Sequence, residues 1–170
     1  MEKDLSWEEE LISVGNEVYV MRYAKVPGYI GNYKYRVKLD NGQTVQLEVF
    51  ITSDANSLET YQIGNTAVWS VFLYVTSKKK RGYEFLKQTG RNGLTPLFLA
   101  KEMLKYHIDN VIKSRSQRSK DHIIWIVGDD KRRDKVYERG LRDLGFVVQD
   151  GCSFNKSNYG KGLVKIIKKT

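Results

Sequence analysis

The sequence predicts one α/β (α+β) domain whose twisted sheet is mixed but mainly antiparallel, with flanking helices and a β-α-β crossover. Apolar and polar residues alternate with the period of a strand through much of the first half. A helical apolar pattern then begins at the Thr95-Pro96 step, between two strand-like segments. The 170 residues, of which 41% are hydrophobic, are enough for one core, and no repeat or linker divides them. We therefore expect residues 1–170 to fold as one domain.

A short helix and a strand are predicted first. Ser6 and Glu9 match a capping box, and the glycine at the end of the segment is a typical helix stop, so we expect a helix over about 7–13. The alternating segment 17–23 predicts a strand. The segment 25–32, which contains a proline and two glycines, predicts a loop.

Residues 33–51 predict a β-hairpin with a defined register. A three-residue loop, Asn41-Gly42-Gln43, places Asp40 opposite Thr44 and brings the apolar residues of both strands onto one face. The same register sets Arg36 opposite Glu48. Charge and hydrophobicity therefore both favour this register over a two-residue loop.

Strands and helices alternate through the rest of the chain. We first predict a polar connector with one helical turn (54–61), then a buried strand (66–77), a turn (78–82) and the hairpin partner of that strand (83–88). A helix from Thr95 to about Val111, a basic loop (113–120) and a strand (122–128) follow. A second helix ending at Gly145 and two final strands within 146–149 and 162–169 complete the chain. Leu97, Ala100, Leu104, Ile108 and Val111 share one face of the first long helix. The strand-helix-strand connection predicts that 83–88 and 122–127 are parallel neighbours.

The turn before the first long helix can bind an anion. In "KQTGRNGLT", residues 87–95, two glycines allow backbone amides to approach a ligand, and the helix that follows presents unpaired N–H groups. The crossover puts this turn at the carboxyl end of a strand, where open α/β sheets commonly bind ligands. The alternative is a plain loop with Thr95 as the N-cap.

The order of elements and two local motifs resemble the GNAT superfamily of N-acetyltransferases, which use acetyl-CoA. "GRNGLT" is similar to the pyrophosphate loop of that family, with Gly93 on its central glycine, although Gly90 and Thr95 depart from the first and last positions. "DKVYERGLRDLGF" is similar to the segment that ends before the sixth strand of that fold. Asp134 stands where the family often has Asn, and Leu141 where it often has a tyrosine whose hydroxyl protonates the departing CoA thiolate. That stretch also resembles the ends of small phage proteins. The resemblance covers residues 67–170 and weakens over 1–66.

What the resemblance implies is acetyl transfer to an amine acceptor that the sequence does not identify. The implied acetyl-CoA contacts are Lys87, Gln88, Thr89, Gly90, Arg91, Asn92, Gly93, Leu94 and Thr95. Glu84 is the candidate general base and Tyr137 a displaced general acid one helical turn before Leu141. The alternatives are a strand carboxylate that faces solvent for Glu84 and a core aromatic for Tyr137.

Positive charge is concentrated in the later part of the chain. Residues 1–60 carry 6 basic and 10 acidic side chains, whereas residues 61–170 carry 23 basic and 10 acidic ones, a net charge of −4 against +13. This predicts, as the rival interpretation, a non-catalytic GNAT-like protein that binds nucleic acid or an acidic protein. The candidate contacts are Lys78, Lys79, Lys80, Arg81, Arg115, Arg118, Lys131, Arg132 and Arg133. The alternative is that these basic runs only keep surface loops solvated.

Several classes of protein are disfavoured. Cys152 is the single cysteine, so no intramolecular disulfide is expected, and His107 and His122 have no companion at ligand spacing, so no metal site is predicted. The longest apolar run, 67–75, is too short to cross a bilayer, and the acidic start lacks an apolar signal region. We therefore expect a cytoplasmic protein without a membrane partner.

Overall fold

The computed structural model describes residues 5–28, 31–51, 66–77, 80–84, 95–112, 121–126, 135, 139–144 and 166–168. They form an α+β structure in which the chain divides into two compact units. The first unit comprises Met1–Phe50 and Phe72–Tyr106, and the second comprises Ile51–Val71 and His107–Thr170. The elements are β1 (Glu8–Val14), β2 (Glu17–Lys25), β3 (Tyr33–Lys38), β4 (Gln43–Ile51), β5 (Thr66–Ser77), β6 (Lys80–Glu84), α1 (Thr95–His107) followed by a π-helical turn (Ile108–Ile112), β7 (Asp121–Ile126) and β8 (Ile166–Lys168).

The first unit is built on an antiparallel sheet. β1, β2 and β3 pair antiparallel in chain order, β3 pairs antiparallel with β4, and β5 is the next strand. The end of β5 forms an antiparallel hairpin with β6, as predicted, although β6 starts at Lys80, so that the turn is shorter than expected. The antiparallel part of the predicted fold class is thus confirmed for the described strands.

The predicted helix over 7–13 is wrong, because residues 8–13 belong to β1. Seven residues of β1 pair with β2 across the two-residue turn Gly15-Asn16, and Gly15 adopts a φ of 59° that suits such a turn. A helix of two turns is marginal without packing. The ladder offers the same residues a full set of cross-strand partners, so it overrides the local capping signal.

The predicted hairpin of β3 and β4 is confirmed, but its register is wrong by two residues. Val37 lies opposite Val45 and Arg36 opposite Gln46, not Glu48. The loop is Asp40-Asn41-Gly42, in which the Gly42 N–H donates to the Leu39 carbonyl at 3.1 Å and Gly42 takes a φ of 87°. The three-residue loop needs its left-handed residue in third place, so the glycine decides the register.

α1 begins at Thr95 as predicted and buries a wider stripe than the one expected. Ala100 and Leu104 are buried as predicted, but Leu99 and Met103 are more completely buried than either, while Leu97 is half-buried. The apolar stripe of a globular helix commonly includes such flanking positions. In the first unit these residues share the core with alternate sheet residues: Ile12, Met21, Tyr35, Val37, Leu39, Val45, Leu47, Val49, Leu73 and Val75.

The second unit holds the parallel pair of the sheet. β7 lies parallel to the first half of β5, Thr66 opposite Asp121 through Val71 opposite Ile126, and antiparallel to β8. The predicted pairing of 122–127 with 83–88 is therefore wrong, because the parallel partner of β7 is the first half of β5, while β6 pairs with the end of β5. The second predicted helix is helical at Lys135 and over 139–143, with Leu141 buried. The predicted connector 54–61, the basic loop 113–120 and the strand 146–149 lie outside the described residues.

Candidate functional site

Strand alternation sorts the side chains of the first unit's sheet onto two faces. One face is the core described above. Directly opposed residues point the same way, so the row Glu9, Arg22, Arg36 and Gln46 marks the other face, which we call the open face. Phe50 lies on the same side as Gln46, because it is four residues further along β4. Phe72 stacks on Phe50, and Tyr74 stacks on Phe72, so both lie on this side as well.

The open face is locally basic although residues 1–60 are acidic in sum. β2 and β3 place four cations on it, namely Arg22, Lys34, Arg36 and Lys38, against the two carboxylates Glu9 and Glu48. The opposite side of β1 and β2 carries Glu8, Glu10 and Glu17. A positive field is therefore created by strand geometry, not by a run of like charges in the sequence.

Trp7 joins the two arginines of the open face. The Arg36 guanidinium lies 4.7 Å from the centre of the Trp7 ring and the Arg22 guanidinium 5.5 Å from it. Arg36 Nε donates to the side-chain oxygen of the buried Gln46 at 2.7 Å, which fixes the guanidinium plane. Arg22 makes an exposed ion pair of 3.9 Å with Glu9, a contact of small energetic value. The result is a pair of neighbouring guanidinium groups held against an indole.

Three aromatic rings form a row on the open face across β4 and β5. The ring centres of Phe50 and Phe72 are 5.6 Å apart with planes 13° from parallel. Those of Phe72 and Tyr74 are 6.3 Å apart with planes at 9°. Phe72 leaves 43% of its surface exposed, and its two neighbours are half-buried. We call these three residues the aromatic row, which offers nearly parallel ring faces at the protein surface.

Aliphatic residues extend the apolar character of this face toward the β1–β2 turn. Leu11 and Val20 lie opposite each other, Val18 follows two residues away on β2, and all three are exposed, Leu11 by 69%. Contiguous exposed apolar surface is uncommon on a sheet that only faces water. The open face thus combines apolar, aromatic and cationic groups.

A tyrosine network occupies the core side of the same sheet. The Tyr106 hydroxyl of α1 donates to the Tyr23 hydroxyl at 3.1 Å, which in turn donates to the Glu8 carboxylate at 2.6 Å. The hydrogen bond to Glu8, followed by the one from Tyr106, raises the pKa of Tyr23 well above its ordinary value. Burial, followed by the neighbouring tyrosines, raises the pKa of Tyr35 in the same direction. These phenols stay protonated at neutral pH, so the network is a structural connection between α1 and the sheet.

The residues predicted from sequence are described only in part. Glu84 ends β6 with its backbone opposite Val75, and Lys80 and Arg81 belong to the same strand. Thr95 is the half-buried first residue of α1. The remaining predicted site residues lie outside the described residues: Lys78, Lys79, Lys87, Gln88, Thr89, Gly90, Arg91, Asn92, Gly93, Leu94, Arg115, Arg118, Lys131, Arg132, Arg133 and Tyr137. The acetyl-CoA site and its catalytic residues therefore stay predictions.

Sequence reasoning missed the open face altogether. The signal was present, because Phe50, Phe72 and Tyr74 stand at the positions of their strands that alternate with the buried residues. Large aromatics at solvent-side positions are unusual unless they contact something. The arginine pair left no comparable signal, since it depends on which strands are neighbours.

The described part of the chain meets the requirements of neither a metal site nor a membrane-spanning helix. The described residues contain no group of three or more His, Cys, Asp and Glu side chains that could hold a metal ion. Among the described helices, none has the length and apolar character that crossing a membrane requires.

Comparison with protein-family models, curated proteins and solved structures gives no match to this chain. The resemblance to the GNAT superfamily accordingly stays a prediction.

Proposed function

We propose that the open face binds single-stranded nucleic acid. The observation that carries the proposal is that the aromatic row and the arginine pair lie on one face of one sheet, where Phe72 and Arg22 are exposed. Proteins that bind single strands combine aromatic rings, on which bases stack, with cations that contact the backbone. Stacking contributes about 1–3 kcal/mol per base, and it tolerates any base because each has an aromatic face.

A single strand suits this surface better than a duplex does. Bases in a duplex are already stacked on each other, and only their edges are accessible in the grooves. The rings of Phe50, Phe72 and Tyr74 stand on a sheet, and α1 contacts the other face of that sheet through Tyr106. Unpaired bases can be turned outward onto such rings, as in other sheet-based modules.

The alternative partners explain less of the open face. An acidic protein could form ion pairs with Arg22 and Arg36 but would leave the aromatic row without a role. The acyl-transfer prediction concerns Glu84, Tyr137 and residues 87–95, so the open face neither supports nor opposes it. Nucleic-acid binding uses both parts of the surface.

Fluorescence polarisation with a labelled thymidine oligonucleotide of about 15 residues, within the usual site sizes, tests the proposal. We expect binding that weakens with salt, with unlabelled single strand competing at least tenfold better than a duplex of equal length. Tenfold corresponds to about 1.4 kcal/mol, the lower range of one base stack. The duplex arm controls for general attraction of phosphates to a protein of charge +9. Equal competition by duplex, or absence of binding at low salt, would refute the proposal.

A further inference from the structure

We infer that Arg22 and Arg36 form a phosphate subsite that is separate from the aromatic row and is positioned by Trp7. The inference rests on the proposed function and deepens it, because it assigns the backbone and the bases of the ligand to different parts of the open face. It predicts a ligand longer than one nucleotide.

The arginine pair is the first step of the argument. Arg22 and Arg36 are directly opposed across β2 and β3, and like charges in that position repel. Glu9 offsets the repulsion only weakly, because its ion pair with Arg22 is long and exposed. A phosphate between the two guanidinium groups would reduce this repulsion and accept hydrogen bonds in the fork geometry that guanidinium groups favour.

Trp7 and Gln46 prepare this arrangement before a ligand arrives. The Trp7 ring lies within 5.5 Å of both guanidinium carbons, and Gln46 holds Arg36 Nε at 2.7 Å. Long arginine side chains normally lose conformational freedom when they bind, and prior contacts reduce that loss. Trp7 is therefore a positioning residue, and the arginines are the groups that contact phosphate.

The distance to the aromatic row separates the two subsites. Arg36 lies opposite Gln46, and Phe50 is four residues further along β4. At the rise of a strand, this is about 13 Å along the sheet. One nucleotide cannot place its phosphate on the arginine pair and its base on Phe50 across that span, whereas a short oligonucleotide can.

The dependence of affinity on salt distinguishes the two parts of the site. Each phosphate contact on a single strand contributes about 0.7 to the slope of log affinity against log salt, whereas stacking contributes almost nothing to it. The variant Arg22→Gln/Arg36→Gln should therefore weaken binding and lower the slope by about 0.7 for each phosphate released. The double variant Phe72→Ala/Tyr74→Ala should weaken binding with the slope unchanged.

The matched control removes the same charge elsewhere. Lys25 lies on the opposite face of β2, and Lys105 is exposed on α1. Lys25→Gln/Lys105→Gln should keep the wild-type slope.

Trp7→Leu should lower affinity and part of the slope, and Trp7→Phe should restore both, because a phenyl ring keeps the contact with the guanidinium groups. Circular dichroism and thermal melting confirm that each variant is folded.

The outcomes separate this inference from the proposed function. If the wild-type protein binds no single strand, both are overturned. If it binds, and the aromatic variant is weakened, but the arginine variant keeps the slope of the lysine control, the phosphate subsite alone is overturned. A slope reduced only in the arginine variant, and partly in Trp7→Leu, supports it.

Discussion

Phe72 is the residue whose replacement tests the aromatic row most directly. It is the middle ring, 5.6 Å from Phe50 and 6.3 Å from Tyr74, so Phe72→Ala removes both ring contacts of the row at once. One base stack is worth about 1–3 kcal/mol. We therefore expect affinity for single-stranded thymidine oligonucleotides to fall between about fivefold and about a hundredfold.

The same change should affect stability only moderately. Replacing a fully buried phenylalanine with alanine costs about 3–5 kcal/mol. Phe72 is 43% exposed, so roughly half of that, about 2 kcal/mol, is expected in urea denaturation. Phe72→Leu retains apolar volume without the ring, so it should lose binding with a smaller loss of stability. The two variants together separate a binding defect from a folding defect.

Phe98→Ala supplies the control for an exposed aromatic ring. Phe98 is 46% exposed on α1, with Lys101 near its ring, and has no part in the aromatic row. Fluorescence polarisation of the labelled oligonucleotide, with each protein shown to be folded, should give wild-type affinity for Phe98→Ala. If folded Phe72→Ala binds as tightly as Phe98→Ala does, bases do not stack on this row and the reasoning is refuted.

Other contacts give predictions that concern folding and the cofactor. Tyr23→Phe removes the oxygen that joins Glu8 to Tyr106 and should lower the free energy of unfolding by about 1 kcal/mol in urea; no change would mean that the network is not formed in solution. Gly42→Ala should cost about 1–2 kcal/mol, because φ is 87° and no atom lies within 4 Å of the added carbon, which leaves backbone strain as the cause. Burial raises the pKa of Tyr35, so the unfolded chain ionises first: stability is unaffected below about pH 10 and falls above it. Tyr35→Phe should lessen that fall, and an equal fall in both proteins would contradict the assignment. Calorimetric titration with acetyl-CoA beside ATP tests the acyl-transfer prediction, which requires selective binding that a bulky residue at position 93 weakens at least tenfold.

The hairpin of β3 and β4 shows what alternation can and cannot predict. It correctly assigns Tyr35, Val37, Val45, Leu47 and Val49 to one buried face, because a register shift of two residues leaves parity unchanged. It cannot choose between two loops that differ by such a shift. The choice depends on the left-handed backbone of one loop residue, and glycine satisfies it in third place but not in second.

The errors at β1 and in the candidate site have a common cause. A capping box is a signal from four neighbouring residues, whereas the β1 ladder needs the partner strand β2. The cluster of Trp7, Arg22 and Arg36 likewise depends on three strands lying side by side. Charge summed along residues 1–60 conceals the open face, because strand parity places Glu8, Glu10 and Glu17 on the opposite side of the sheet from its four cations.

The sorting of charge between the two faces also guards the pairing of the strands. A one-residue slip of β3 would carry Lys34, Arg36 and Lys38 into the core and turn Tyr35 and Val37 out to water. Buried, unpaired cations are strongly disfavoured, so a slip by one residue is penalised at the very positions that we assign to the ligand. The cations of the open face therefore disfavour the wrong strand register during folding. A variant that neutralises them should populate slipped, aggregation-prone sheets more often than the native protein does.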